Sequence, residues 1–421
     1  MEEIIGTCKI YSLSPESEGI GEFEGATIKI PFTLPGERVT FKQIGSKRRK
    51  KYIFQTIESP SSERQDPRCL HFTQCGGCTL QHMTPSFYRE FKKSLITVPL
   101  QEHGLDPFLV QDIIILPFGK RRRSNLDATK KNDIVFLGFH RWKSHQLIDL
   151  KECHTLSPAL ASLLNPLKET LTLVLENFQK AKVFLTETAV GVDISLEIQG
   201  ILEITEGQKK ILESFASKNK VARFVFRHGK KTDCVYMASN PVVVFDGAEV
   251  SVDAYSFLQA TEEADTLLTS LVMDNLPKGA KKAADLFCGR GTFSFPLSRL
   301  MPVDGFELDK AALKALEEAA LKNQRNITSH LRNLFDNPLS AEELKAYDVV
   351  VIDPPRAGAL EQIEALSKAS VTRVIYISCN PQTFARDAKE LAQGGYVLKK
   401  IIPVDQFAWS AHLEVVGIFE K

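Results

Sequence analysis

The chain carries no excess of charge of either sign: 53 Lys and Arg against 52 Asp and Glu leave a formal net charge of +1. That excludes a protein that holds a polyanion by its overall field, so any contact with nucleic acid must come from local patches. A signal peptide is also missing, because Met1-Glu2-Glu3-Ile4-Ile5 has neither the basic start nor the apolar stretch. No uninterrupted apolar run is long enough to span a bilayer. A cytoplasmic protein with no membrane partner is therefore expected. There is no internal repeat, which argues against a solenoid. What remains is an ordinary soluble composition in 421 residues, long enough for two or three domains. In a reducing compartment its eight cysteines read as metal ligands or catalytic groups rather than disulfides.

Residues 1 to about 58 read as short strands with turn residues between them: Thr27 to Phe32, a turn at Pro35-Gly36, then Arg38 to Phe41. This pattern suggests a small β-barrel of the OB type. The basic run Lys47-Arg48-Arg49-Lys50-Lys51, ending at Tyr52, is either a solvated loop or a device for tracking single-stranded nucleic acid. A linker at Pro60-Ser61-Ser62 leads into a cysteine-rich segment, and less clear periodicity runs on to about residue 255. From Lys281 strands alternate with helices: Ala283 to Phe287, Val303 to Leu308, Tyr347 to Ile352 and Arg373 to Ser378. The alternation specifies an α/β, doubly wound, mainly parallel sheet with its ligands at the strand carboxyl ends. Tyr396 to Val404 and His412 to Phe419 leave no room for a crossover helix, so an antiparallel pair is expected at the sheet edge.

In Ile377-Ser378-Cys379-Asn380-Pro381 a thiol lies between a strand and a helix that has an Asn N-cap and proline at its first position. The helix terminus is expected to lower the Cys379 pKa and favour the nucleophilic thiolate; a buried structural cysteine is the alternative. Asp285 to Thr292 is a strand ending in a glycine turn. Gly289 and Gly291 would admit a ligand, and Glu307 could take ribose hydroxyls, with Asp309 better suited to an N-cap. The glycine triplet of an NAD site is incomplete, whereas an acidic residue before G-x-G is typical of S-adenosylmethionine-dependent methyltransferases. Asp353-Pro354-Pro355 holds a carboxylate in a stiff loop at the same cleft. Cys69, Cys75 and Cys78, with Cys153 further on, suit structural zinc or an iron–sulfur cluster, zinc being preferred on spacing alone. Period-two alternation places His412 and Glu414 on one face of the last strand.

Together and in this order, these motifs resemble the RNA uracil-5-methyltransferases of the TrmA/RumA superfamily, and among them the iron–sulfur branch that acts on 23S ribosomal RNA. Ile30 to Val39 resembles a TRAM domain; Arg121-Arg122-Arg123 and Leu137-Gly138-Phe139 resemble the family's central domain. The resemblance implies a TRAM β-barrel over 1–58, a central iron–sulfur and RNA-recognition domain over 59–255, and a Rossmann-like class I methyltransferase domain over 256–421. It assigns Cys69, Cys75, Cys78 and Cys153 to a 4Fe–4S cluster. Gln259, Asp285, Phe287, Gly289, Gly291, Glu307 and Asp353 match cofactor contacts, while Asp353 also matches the uracil-binding aspartate, Cys379 the nucleophile and Glu414 the general base. Arg290, Thr292 and Thr261 depart from the usual pattern, as does Phe407 to Ala411. The implied enzyme is a monomer that uses S-adenosylmethionine to methylate uracil C5 in 23S ribosomal RNA through a cysteine–C6 adduct, with the uridine flipped out and Phe257 or Phe407 available to stack on it. A transfer RNA enzyme of the same chemistry and a non-catalytic RNA-binding protein are the alternatives.

Overall fold

The computed structural model describes residues 4–46, 49–229 and 231–421, so Lys47 and Arg48 of the basic run lie outside the described residues. Ile4–Leu13, Glu18–Phe23, Ala26–Pro31, Arg38–Ser46 and Arg49–Ser59 form a five-stranded antiparallel sheet, ordered third, second, first, fourth, fifth. The buried pairs Cys8 and Ile10, Ile28 and Ile30, Val39 and Phe41 are each two residues apart, as one-sided burial of a strand requires. Glu37 closes the Pro35-Gly36 turn, its fully buried carboxylate accepting from Leu34 N at 2.7 Å and Arg64 Nη2 at 2.9 Å. The sheet is thereby fastened to the start of the cysteine-rich segment.

Regular structure also fills the stretch where periodicity was weak. Seven strands between Arg123 and Met237 form one sheet, antiparallel except where Gly191–Ile198 runs parallel to Val221–His228 across the helix Glu206–Lys218. Residues 192–196 of Gly191–Ile198 are all buried, so this strand shows no polar alternation to read.

The C-terminal sheet has eight strands in the order Ile327–Leu331, Val303–Glu307, Ala283–Leu286, Val349–Ile352, Arg373–Ser378, Glu414–Glu420, Val397–Asp405 and Ile114–Ile115. The first five are parallel, as expected. The final pair is antiparallel, also as expected, but Glu414–Glu420 is inserted between Arg373–Ser378 and Val397–Asp405 rather than placed at the edge. The edge is covered by Ile114–Ile115, which pairs with Val404 and Asp405.

That two-residue strand falls within the stretch expected to form the central domain, and so does the helix Pro85–Glu102, yet both pack on the C-terminal sheet. The helix starts at the Thr84 cap and buries Tyr88, Phe91, Leu95, Ile96 and Leu100 in the same core as Val350, Tyr376 and Leu413. Lys92 lies on this apolar stripe and is fully buried. Its ammonium donates to Asp405 Oδ1 at 2.7 Å and to the His412 carbonyl at 2.5 Å. Tyr88 donates to the other Asp405 oxygen, while its own oxygen accepts from Trp409 N at 3.1 Å. One helix therefore fixes the loop from Asp405 to Glu414. Lys92→Ala leaves the buried Asp405 carboxylate without its countercharge and the Phe407 and His412 carbonyls without the ammonium, and should destabilise the fold by about 3–5 kcal/mol in chemical denaturation.

Candidate active site

The parallel strands of the C-terminal sheet end on one side. The inserted antiparallel strand begins there, which brings its first residue, Glu414, beside the carboxyl ends of its neighbours. A cleft of about 1120 Å³ opens at this edge, and Gln259, Phe287, Gly289, Glu307, Asp353, Cys379 and Glu414 all line it. Asp285 and Gly291 lie behind its wall. Asp285 is fully buried, accepts from Ser294 Oγ at 2.5 Å, and is pushed up to about 7 by burial. A Cβ on Gly291 would come within 2.9 Å of Leu316 and Phe295, so this glycine answers to packing and to its φ of +95°. Gly289 differs: nothing lies within 4 Å of where its Cβ would be, and its backbone faces open cleft.

Glu307 shapes that turn. One oxygen accepts from Gly289 N at 3.0 Å, and the other from Leu308 N at 2.6 Å and Asp309 N at 2.9 Å. Asp309 caps the helix Lys310–Lys322, as its position suggested. The departures from the family pattern have structural partners. Buried Arg290 donates to the Ser251 carbonyl, Asp253 and Ser256, and Thr261 caps the helix Glu262–Met273. Arg122 and Arg123 hold the backbone that carries Gln259, donating to the Gln259 and Leu258 carbonyls respectively, and Arg122 pairs with Asp265 at 2.5 Å. Phe257, 73% exposed, stands at the cleft with the Arg123 guanidinium 5.1 Å from its ring centroid.

Cys379 follows the strand Arg373–Ser378 and precedes the Asn380 cap, as expected. Its pKa goes the other way. Burial, then the Glu414 and Asp353 carboxylates, push the thiol up to about 12, opposed by Arg356. Two nearby anions and a poorly solvated site outweigh one helix terminus, which corrects the sequence expectation of a lowered value. Asp353 is raised well above the ordinary carboxylate range by burial and by Glu414, and Glu414 is pushed up to about 7 by burial. His412 does not share a strand face with Glu414, because the strand begins at Glu414 and His412 sits in the exposed turn before it.

Gln406, which the sequence reading missed, connects these groups. Its Nε2 donates to Glu414 Oε2 at 2.7 Å and to Gln259 Oε1 at 2.9 Å, while Gln259 Nε2 donates to Asp353 Oδ2 at 3.2 Å. Asp405 ends a strand whose preceding residues Ile401 to Val404 are all buried, and a second polar residue, Gln406, follows it directly; that was the available signal.

Cys69, Cys75, Cys78 and Cys153 are free thiols, all partly buried, and they act on one another electrostatically. Burial pushes Cys75 up to about 11 and Cys78 to about 12. The Gly77 amide donates to Cys75 Sγ at 3.4 Å. Among the described residues no three His, Cys, Asp or Glu side chains are grouped tightly enough to hold a single metal ion. Just beyond Cys78, the amides of Thr79 and Leu80 donate to the Trp409 carbonyl at 2.8 and 3.0 Å, tying this segment to the loop between Gln406 and Glu414.

A thiol at about 12 holds on the order of a thousandfold less thiolate near neutral pH than an unperturbed cysteine. Cys379 should therefore alkylate slowly with iodoacetamide at pH 8, followed by peptide mass spectrometry. Glu414→Gln removes one of the two anions and should speed the reaction; an unchanged rate would separate the two side chains electrically.

The family model for tRNA (uracil-5-)-methyltransferase matches residues 251–421. Uncharacterized RNA methyltransferases of Agrobacterium fabrum and Brucella suis are each 36% identical to the chain, covering 99% of it and 99% and 98% of their own lengths. The 23S rRNA (uracil(1939)-C(5))-methyltransferase RlmD of Pectobacterium atrosepticum is 29% identical over 98% of this chain and 93% of its own. In fold, the Pyrococcus abyssi tRNA (uracil-54, C5)-methyltransferase, solved with S-adenosyl-L-homocysteine, superimposes with a TM-score of 0.74 at 22% identity, covering 99% of this chain and 100% of that one. The chain belongs to the RNA (uracil-5-)-methyltransferase family.

Proposed function

We propose that the protein methylates C5 of a uridine in 23S ribosomal RNA, with Cys379 as nucleophile, Asp353 as the group that orients the ring and Glu414 as the base. The observation that carries this reading is the convergence of a thiol and two carboxylates beside an open glycine turn in one cleft. The residues present fit S-adenosylmethionine: Gly289 leaves its backbone uncovered, Glu307 lies at the turn for ribose hydroxyls, and Gln259 and Phe287 line the same wall. Bound there, the cofactor supplies an electrophilic methyl group.

Uracil C5 is a poor nucleophile. Addition of the Cys379 sulfur to C6 pushes the ring electrons toward O4 and makes C5 carbanion-like. Asp353, on the cleft wall and accepting from Gln259 Nε2, is suited to bind the ring's polar edge as that charge develops. After C5 is methylated, the Glu414 carboxylate takes the C5 proton, the C6–S bond breaks, and the thiolate leaves. Arg356, beside Cys379, favours the departing thiolate. Glu414 is 2% exposed, out of reach of a base stacked in a helix, so the uridine must be flipped out, and exposed Phe257 is placed to stack on it.

The 23S target is supported by full-length similarity to RlmD and by the cysteine quartet. The transfer RNA reading draws on the family model and on the P. abyssi enzyme, which agrees in fold. For the quartet we infer a 4Fe–4S cluster rather than zinc. The ground for this reading is the resemblance of Cys69, Cys75, Cys78 and Cys153 to the ligand set of the iron–sulfur branch; among the described residues no three His, Cys, Asp or Glu side chains form a metal-ion group. With no electron to move in this reaction, such a cluster would brace the segment that holds Trp409.

Two outcomes test this. With labelled methyl donor and a 23S transcript, Glu414→Gln should trap a labelled protein–RNA complex that survives denaturation, and Cys379→Ala should form none. Normal turnover by either variant would sink the assigned roles. Protein purified without oxygen should be brown, and Cys75→Ser should bleach it and lower its stability; colourless protein with stoichiometric zinc would reverse the metal assignment.

A further inference from the structure

We propose that Gln406 is a positioning residue for the base: its side-chain amide aims the Glu414 carboxylate and binds it into a directed chain through Gln259 to Asp353. This inference rests on the uracil-C5 reading above. Its direction is fixed by one backbone group. Ala260 N can only donate, and it donates to Gln406 Oε1 at 3.1 Å. Gln406 Nε2 must then face Glu414 and Gln259, and Gln259, accepting through Oε1, must turn its own Nε2 to Asp353. Flipping Gln406 would set its NH2 against the Ala260 N–H, and flipping Gln259 would set its NH2 against that of Gln406. All three side chains other than Asp353 are more than nine-tenths buried, so solvent does not replace a lost partner.

The anchor of this chain is rigid. Gln406 follows Asp405, which Lys92 and Tyr88 hold from below, and Ala260 is fixed by its carbonyl accepting from Arg122 N at 2.9 Å. Glu414 acts on Asp353 in the proline loop and on Cys379 at the neighbouring strand end. Asp265 and Asp285 act on Asp353, with Asp265 paired to Arg122; Arg356 acts on Cys379. Lys92 faces Asp405 and the His412 carbonyl. Gln406 is the neutral donor that favours the charged form of Glu414. Losing that donor raises the pH at which the base can take the C5 proton.

The test follows single turnovers with labelled methyl donor, using unmodified 23S transcript and, as a second substrate, total RNA from cells lacking the protein. Gln406→Met removes the donor and the acceptor. Gln406→Leu removes the same two groups with a side chain of different shape and no added charge, so it reports even if the methionine variant folds poorly. Both should still form the labelled covalent complex. Its decay at pH 7 should be about tenfold slower, with the midpoint of the Asp353–Glu414 pair about one pH unit higher. RNA affinity should not change. A decay midpoint equal to wild type in whichever neutral variant folds overturns the proposal, since a purely structural glutamine would alter stability without moving it. Wild-type protein that forms neither complex nor 5-methyluridine on either RNA overturns the uracil reading itself, and that result is visible before any variant is compared.

Discussion

The ion pair between Lys92 and Asp405 governs the catalytic side of this molecule. A lysine fully buried on an apolar helix stripe is costly unless its charge is met, and here burial alone drives its pKa down. The carboxylate of Asp405 and the carbonyl of His412 meet it from opposite ends of one loop. Since Gln406 and Glu414 bound that loop, the helix that supplies Lys92 sets where the base stands. That helix comes from the segment between Cys78 and Cys153, and the backbone just after Cys78 holds the same loop through Trp409. The cysteine-rich segment and the active cleft are thus mechanically continuous.

The cleft concentrates ionisable groups where water is scarce. Glu414 and Asp353 both raise the proton affinity of Cys379, and Glu414 raises that of Asp353, which keeps the thiol quiet. Such a site suits a nucleophile that should react only with a ring placed on it, because the arriving uracil brings hydrogen-bonding edges that can redistribute those protons. The amide chain of Gln406 and Gln259 runs through this cluster and supplies neutral donors to two carboxylates, lowering the cost of charging either one without adding a fixed positive charge.

The sequence alone determined the elements whose causes are local. Parallel strands, the Asn380 and Asp309 caps, and the thiol at the strand–helix junction follow from short-range patterning, and the structure has them at the expected residues. The residues gathered in the cleft were largely legible because they end successive strands of one parallel sheet, whose topology brings those ends together. Only the tertiary structure decided the rest. Asp285 and Gly291 turned inward because the chain just beyond them folds Ser294 and Phe295 back onto them and Leu316 packs there from the next helix. Gln406 owes its role to partners 8 and 147 positions away, and Lys92 to one 313 positions away. The Cys379 thiol rose rather than fell because electrostatics in a dry cleft depends on which charges the fold brings near, and sequence spacing carries no record of that.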